Sequence, residues 1–83
     1  MYYVYAISSI HRNYIYVGLT ANLERRLSEH NFGRNKTTKP YLPFTPIHFE
    51  EYSTRTEARE KEKYYKSGIG KEKLKSIRES LMH

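Results

Sequence analysis

The chain opens with an apolar, β-branched and aromatic run, Tyr2 to Ser8, which predicts a strand. A polar turn, Ser9 to Asn13, separates it from a second strand, Tyr14 to Leu19, so the two form a hairpin that Gly18 ends or bulges. Asn22 is a helix N-cap, and the helix it starts runs to about Asn31 with Leu23 and Leu27 on its buried stripe. At ~100° per residue, Arg26 and His30 lie one turn apart on the edge of that stripe, and Arg25 points nearly the opposite way. Asn31 to Pro46 holds Gly33 and all three prolines and is expected to be a loop. Ile47 to Tyr52 predicts a third strand. Thr54 and Glu57 have capping-box spacing, opening a helix that runs to Ser67 and stops at Gly68. Its inward stripe is Ala58, Glu62, Tyr65 and Ile69, with Lys61, Lys63 and Lys66 at the sides. A last helix, Lys71 to Leu81, packs through Leu74, Ile77, Arg78 and Leu81. The order is β-β-α-β-α-α, an α+β arrangement.

Composition narrows what such a chain does. Its 83 residues suffice for one domain, taken as 1–83, with a modest core. The absence of cysteine excludes disulfides and thiolate metal sites, and suits a reducing, cytoplasmic setting. No apolar run approaches membrane-spanning length, and the first ten residues lack the basic start and small-residue cleavage site of a leader. A formal charge of +6 suits a polyanionic partner, and Arg34, Lys36 and Lys39 fall in a stretch with no acid. All nine acidic residues are glutamate, which argues against nuclease sites built from clustered aspartates.

Glu62 is the anomaly, a carboxylate on the face between Ala58 and Tyr65 that should be buried. Such a group is costly unless it is paired or binds a metal. Arg26 and His30 pose the same question on the first helix, and a structural Glu62–Arg26 ion pair is the plain answer. Tyr3, Tyr5, Tyr14 and Tyr16 sit in strands, where tyrosine is favoured for packing alone. His11, His48 and His83 have no ligand spacing and are read as surface or strand residues. The segment Ser67-Gly68-Ile69-Gly70-Lys71 lacks the full pattern of a phosphate loop, and no nucleophile elbow or zinc-binding His-Glu-x-x-His helix is present.

In their order these residues resemble the GIY-YIG nuclease family. Tyr3-Val4-Tyr5 is similar to its first motif, with Tyr3 where glycine is usual, and Tyr16-Val17-Gly18 to its second. Asn22 to His30 resembles the Arg-x-x-x-His segment of its first helix, and Thr54 to Glu62 the helix that carries its metal glutamate. Leu19 and Thr20 stand where many members have a lysine, and an asparagine that braces the site in some members has no obvious counterpart. The resemblance runs from about Tyr2 to Lys75 and is strongest to small stand-alone bacterial members, similar to the nuclease domain of the bacterial repair excinuclease.

The resemblance implies a three-stranded antiparallel sheet flanked by three helices. It also implies a hydrolase that cleaves phosphodiester bonds in DNA, in repair or recombination, through Tyr5, Tyr16, Arg26, His30 and Glu62. Glu62 would hold one Mg²⁺ (or Mn²⁺) that keeps most of its water. Tyr16 would be the general base or orient the water, and a phenol, with its pKa of about 10, needs positive charge nearby for that. Arg26 would supply this charge and a fork of donors to the phosphate. Tyr5 would hold Tyr16 or the water in place, and His30 would relay a proton or bond a phosphate oxygen. The basic loop, Arg34, Lys36 and Lys39, would grip the nucleic-acid backbone. So small a protein is expected as a monomer or weak dimer, free of membranes, with a partner protein or dimerisation supplying specificity. The alternative is a non-catalytic nucleic-acid-binding module using the basic loop and surface tyrosines.

Overall fold

The computed structural model describes residues 1–81; His83 lies outside them. The elements are β1 (Tyr2–Ser9), β2 (Ile15–Thr20), α1 (Leu23–Asn31), β3 (Phe44–Tyr52), α2 (Arg55–Lys66) and α3 (Gly68–Leu81). A 3-10 turn at Lys39–Tyr41 interrupts the segment before β3. The expected order and the antiparallel three-stranded sheet are present, with strands arranged β2-β1-β3.

The central strand explains its own composition. β1 is covered on both faces, so Val4, Tyr5, Ala6, Ile7 and Ser8 are all buried and the run carries no polar alternation. Val4 and Ala6 face one layer with Ile15, Val17, Ile47, Ala58, Tyr65 and Leu74, formed by α2 and α3. Tyr5 and Ile7 face the other with Phe44, Tyr14, Tyr16, Leu23, Leu27, Tyr41 and Leu42, formed by α1 and the turn after it. Thus one sheet face is closed by two helices and the other only partly, by one.

The third strand starts three residues earlier than the pattern suggests, and Pro46 sits inside it. Two facts allow this. β3 is an edge strand, and the register slips there, with Ile7 opposite Pro46 and Ala6 opposite His48, so Ile47 is the extra residue of a bulge.

The break between the last helices also differs from expectation. Gly68 does not end a helix; it opens α3. Ser67 is the hinge, its hydroxyl accepting from the Gly70 amide at 3.3 Å and its carbonyl from the Lys71 amide at 2.9 Å. Gly70 is needed because α3 crosses the end of α2 there. A Cβ at position 70 would lie 2.0 Å from the Tyr64 carbonyl oxygen. Ile69, in the first turn of α3 instead of on the stripe of α2, is 75% exposed, and Leu81 at the end of α3 is 62% exposed, while Leu74 is fully buried. Neither Ile69 nor Leu81 packs inward as expected.

Both predicted caps form. Asn22 accepts from the Arg25 amide and Thr54 from the Glu57 amide. Glu57 completes its box through the Thr54 hydroxyl, at 2.8 Å, in place of the Thr54 amide.

A polar knot ties α2 to the sheet. Glu50 accepts from Tyr52, from the otherwise buried Tyr65 of α2, and from His48 at 2.7 Å. Burial opposes ionisation of Glu50, but the three hydrogen bonds outweigh it and hold its pKa down at about 2. The same contacts push the Tyr52 phenol up to about 12, its burial acting first and Glu50 second.

A folded-state pKa below the unfolded value contributes stability above the unfolded value, and that contribution is lost as pH falls toward the folded one. Acid should therefore remove this contribution progressively between pH 4.5 and about 2 and destabilise the fold. Glu50→Gln should lower the melting temperature at pH 7, consistent with breaking a partly buried network, and should flatten the acid limb. Melting curves across this pH range measure both; an acid limb unchanged by the substitution would refute the assignment.

Candidate active site

The site begins at Tyr5, in the middle of the sheet. Tyr5 is 2% exposed, and Gly18 lies directly opposite it on β2. Its ring crosses the β2 backbone so closely that a Cβ at Gly18 would stand 2.4 Å from the phenol oxygen. Gly18 neither ends nor bulges the strand, which runs on to Thr20. Its role is steric: it makes room for the ring.

With the ring in that position, the Tyr5 hydroxyl meets Nε2 of His30 at 2.8 Å. His30 is fully buried, and its Nδ1 meets the buried Thr38 hydroxyl at 2.9 Å. Thr38 is held in turn by Asn35, whose side-chain oxygen accepts the amides of Thr37 and Thr38. The Thr38 hydroxyl can donate to the Asn35 carbonyl at 3.4 Å. This pattern assigns a proton to Nδ1 and makes Nε2 the acceptor from Tyr5. Burial first, and then the Arg26 charge, hold the His30 imidazole below the usual histidine range. With both nitrogens occupied inside the protein, His30 offers no free nitrogen to a phosphate oxygen. It sits behind Tyr5.

Tyr16 lies on the same face, its ring centroid 6.3 Å from Tyr5 and 4.9 Å from His30. It is half-buried, and its hydroxyl has no hydrogen-bond partner among the described residues. Tyr5 differs: burial, followed by the neighbouring Tyr16, raises its pKa, while Arg26 lowers it and Glu62 and Glu29 raise it. The Tyr5 hydroxyl therefore remains a protonated donor and feels the charges of Arg26, Glu62 and Glu29 together. Among the described residues, no hydrogen bond or ion pair joins Glu62 to Tyr5, Tyr16, Arg26 or His30.

The ion pairs are not the expected one. Arg26 bonds Glu29 at 3.5 Å, one turn along its own helix, and Glu62 bonds Lys66 at 3.2 Å, one turn along its own. Arg25 reaches the same Glu29 at 3.6 Å. The two arginines are thus separated less than a helical wheel suggests, although their side chains are 76% and 42% exposed for Arg25 and Arg26. Both border a cleft of about 330 Å³ with Thr20, Ala21, Asn22 and Glu29. The Arg26 charge lowers the pKa of both Tyr5 and His30.

Among the described residues, no group of three or more histidine, cysteine or acidic side chains is placed to hold a metal. Glu62 is a single carboxylate, 13% exposed, with one lysine as its partner. That donor set fits Mg²⁺, which keeps several waters and takes one or two carboxylates. It does not fit zinc, which takes three or four protein ligands from nitrogen, sulfur and carboxylate oxygen.

Arg34, Lys36 and Lys39 are exposed along the segment that Thr38 anchors. Sequence reasoning does not single out Thr38 and Asn35, although the Asn35-to-Thr38 spacing is a side-chain turn signal. Nor does it single out Tyr41, which stacks on Tyr14 at 3.9 Å and fixes the far end of the segment.

Comparison with known proteins agrees with this geometry. Residues 1–75 match the model of the GIY-YIG catalytic domain. A UPF0213 protein of Staphylococcus haemolyticus is 35% identical over 79 residues, covering 94% of this chain and 95% of that protein. A UPF0213 protein of Listeria welshimeri is 46% identical over 55 residues, covering 65% of this chain and 61% of that protein. The solution structure of a UPF0213 protein from Bacillus halodurans superposes with a TM-score of 0.55 at 30% identity, covering 93% of this chain and 85% of that one. A sheet of order β2-β1-β3 with motif tyrosines on its adjacent strands β1 and β2, an arginine and histidine on α1 and a glutamate on α2 is thus accompanied by a match over most of the chain, and the chain belongs to the GIY-YIG family of nuclease domains.

Proposed function

We propose that this protein is a divalent-metal-dependent endonuclease for DNA, with one active site formed by Tyr5, Tyr16, Arg26, His30 and Glu62. The observation that carries the reading is the difference between its two phenols. Tyr5 commits its proton to His30, whereas the Tyr16 hydroxyl beside it is free.

The roles follow from these environments. Tyr16 takes the proton of the attacking water or orients it. Arg26 presents planar donors to the phosphate as negative charge develops there. His30 is a positioning residue, because it is fully buried and acts through Tyr5. Tyr5 keeps Tyr16 at its station through ring contact. Glu62 would hold Mg²⁺ or Mn²⁺, which when bound would neutralise phosphate charge and stabilise the leaving oxygen. Arg34, Lys36 and Lys39 would track the backbone by charge, with little sequence reading. Repair or recombination intermediates are the substrates we expect.

The direct test incubates purified protein with single-stranded, duplex and branched DNA in Mg²⁺, Mn²⁺ or EDTA. Cleavage is expected with metal and absent in EDTA. Glu62→Gln should abolish it with an unchanged melting temperature, and Tyr16→Phe should reduce it by at least ~100-fold, a typical loss for a general base. Tyr14→Phe serves as control, since Tyr14 stacks on Tyr41 away from His30. Metal-independent cleavage, or equal losses from the two tyrosine variants, would sink the assignment; binding with no cleavage would favour a non-catalytic module.

The two arginines give a sharper comparison. Arg26→Ala should cost about 3 kcal/mol of transition-state stabilisation, as for other preorganised donors. Arg25→Ala should change binding a few-fold and leave the rate at saturation nearly intact, because its side chain is largely exposed and paired with Glu29. Lysine at position 26 should restore only part of the activity, lacking the planar fork. Single-turnover rates decide, and a dead Arg25→Ala beside an active Arg26→Ala would reverse the roles.

For the loop, neutralising Arg34, Lys36 and Lys39 together should flatten the salt dependence of duplex binding by about one log-log unit for each phosphate they neutralise. An unchanged slope would show that the loop does not touch phosphate.

A further inference from the structure

The sheet face that α1 covers is not covered to its end. Across that face, the residues in register run Gly18, Tyr5, Phe49 in one row and Thr20, Tyr3, Glu51 in the next. Directly opposed residues of antiparallel strands share a face, so Tyr3, Tyr5, Phe49 and Glu51 all point the same way. The inner row is capped by the α1 layer as far as Tyr5. Phe49, beside Tyr5, is 58% exposed. Tyr3 lies diagonally next to it, with ring centroids 6.5 Å apart and planes tilted by 59°, so the two rings do not cover one another's faces.

A single exposed aromatic is ordinary. Here the half-buried Tyr3, two residues along β1 from Tyr5, meets the exposed Phe49 on the neighbouring strand, and both lie on the face that carries Tyr5.

Charge selects the occupant. On the β2 side, Thr20 joins the Tyr3 row to the cleft of Arg25 and Arg26, where a phosphate is attracted. On the β3 side, Glu51 faces Tyr3, and its carboxylate is close enough to push the Tyr3 phenol pKa up. A phosphate is therefore repelled from this corner, and a flat neutral ring is not. We propose that Tyr3 and Phe49 form a stacking platform for one unpaired nucleobase next to the phosphate held at Arg26, so that the preferred substrate is single-stranded or locally unpaired at the cut. This rests on the nuclease reading for the neighbouring phosphate. A base inside a duplex keeps its faces stacked on its neighbours and cannot lie on the sheet, whereas an unpaired base can.

Binding in EDTA tests the platform apart from cleavage. Short single-stranded DNA oligonucleotides, each with one 2-aminopurine at a different position, are titrated into the protein. Quenching is expected at one position, and Tyr3→Thr/Phe49→Thr should remove it and weaken binding on the order of tenfold, as for loss of one stacked base. Fully paired duplex should bind the variant within about twofold of the unaltered protein, because phosphate contacts remain. An abasic nucleotide at the quenched position should produce the same tenfold loss with the unaltered protein and no further loss with the variant. That last pair of measurements stands even if the variant melts early, since half of it needs no substitution. Absence of quenching, an abasic oligonucleotide that binds as well as the intact one, or an equal loss of duplex binding would overturn the proposal, and a surface that docks a protein would give the first two. Quenching without metal-dependent cleavage would sink the nuclease reading and leave the platform standing; cleavage without quenching would do the reverse.

Discussion

The hydrogen bond from Tyr5 to His30 is the contact on which the rest of the site depends. It joins the central strand to α1 through two buried groups, and neither can lose its partner cheaply, since a buried polar group left unmade costs roughly 1–3 kcal/mol. To reach His30 the Tyr5 ring must lie across β2, and only glycine at position 18 leaves room for it. To accept from Tyr5, His30 must turn its other nitrogen to Thr38, which fixes the segment between α1 and β3. One bond therefore sets the place of two strands, one helix and the basic loop. A loop of this length would otherwise be free to move; here its middle is anchored by Thr38 and its end by the Tyr14–Tyr41 stack.

The two faces of the sheet divide the work. The face under α2 and α3 holds the larger apolar layer and the Glu50 knot, with Tyr65 reaching from α2 to a carboxylate whose charge its hydrogen bonds stabilise. The face under α1 holds a smaller layer and leaves polar and aromatic groups open. Such a division suits a small domain. Its core has little surplus to offset exposed or strained groups, and the half-covered face is where Tyr5, Tyr16, Arg26 and His30 lie, whereas the candidate glutamate, Glu62, belongs to α2 on the other face.

Much of this is legible in the chain. Element order, both helix caps and the hairpin follow from alternation, turn residues and capping chemistry, all local signals. The misses share one cause, contact between distant residues. Gly18 reads as a strand end because its clash is with Tyr5, thirteen positions away. Gly68 reads as a helix stop because the close approach of Gly70 to Tyr64 is a matter of how two helices cross. Pro46 argues against a strand until β3 proves to be an edge with a bulge. The tyrosine, arginine, histidine and glutamate positions of the candidate site can be named from their order in the chain. Their partners cannot: Arg26 is expected to face Glu62, and each finds a partner one helical turn away. Thr38 and Glu50 give no strong signal, since a threonine in a loop and a glutamate in a strand become informative only when something buried points at them.

Two residues of one type in one site need different surroundings if they are to do different things. Tyr5 and Tyr16 are both phenols, on adjacent strands, with rings 6.3 Å apart. Burial and neighbouring negative groups raise the Tyr5 pKa, and its proton is committed to a neutral imidazole that is itself kept from charging. Tyr5 therefore cannot serve as the base without first breaking the bond that positions the site. Tyr16 has no such obligation. Its hydroxyl is unengaged, and its ring packs on the back of His30, so it can exchange a proton with a water while the Tyr5–His30–Thr38 chain stays intact. The buried chain is thus the scaffold of the proposed reaction, and the free phenol is its moving part.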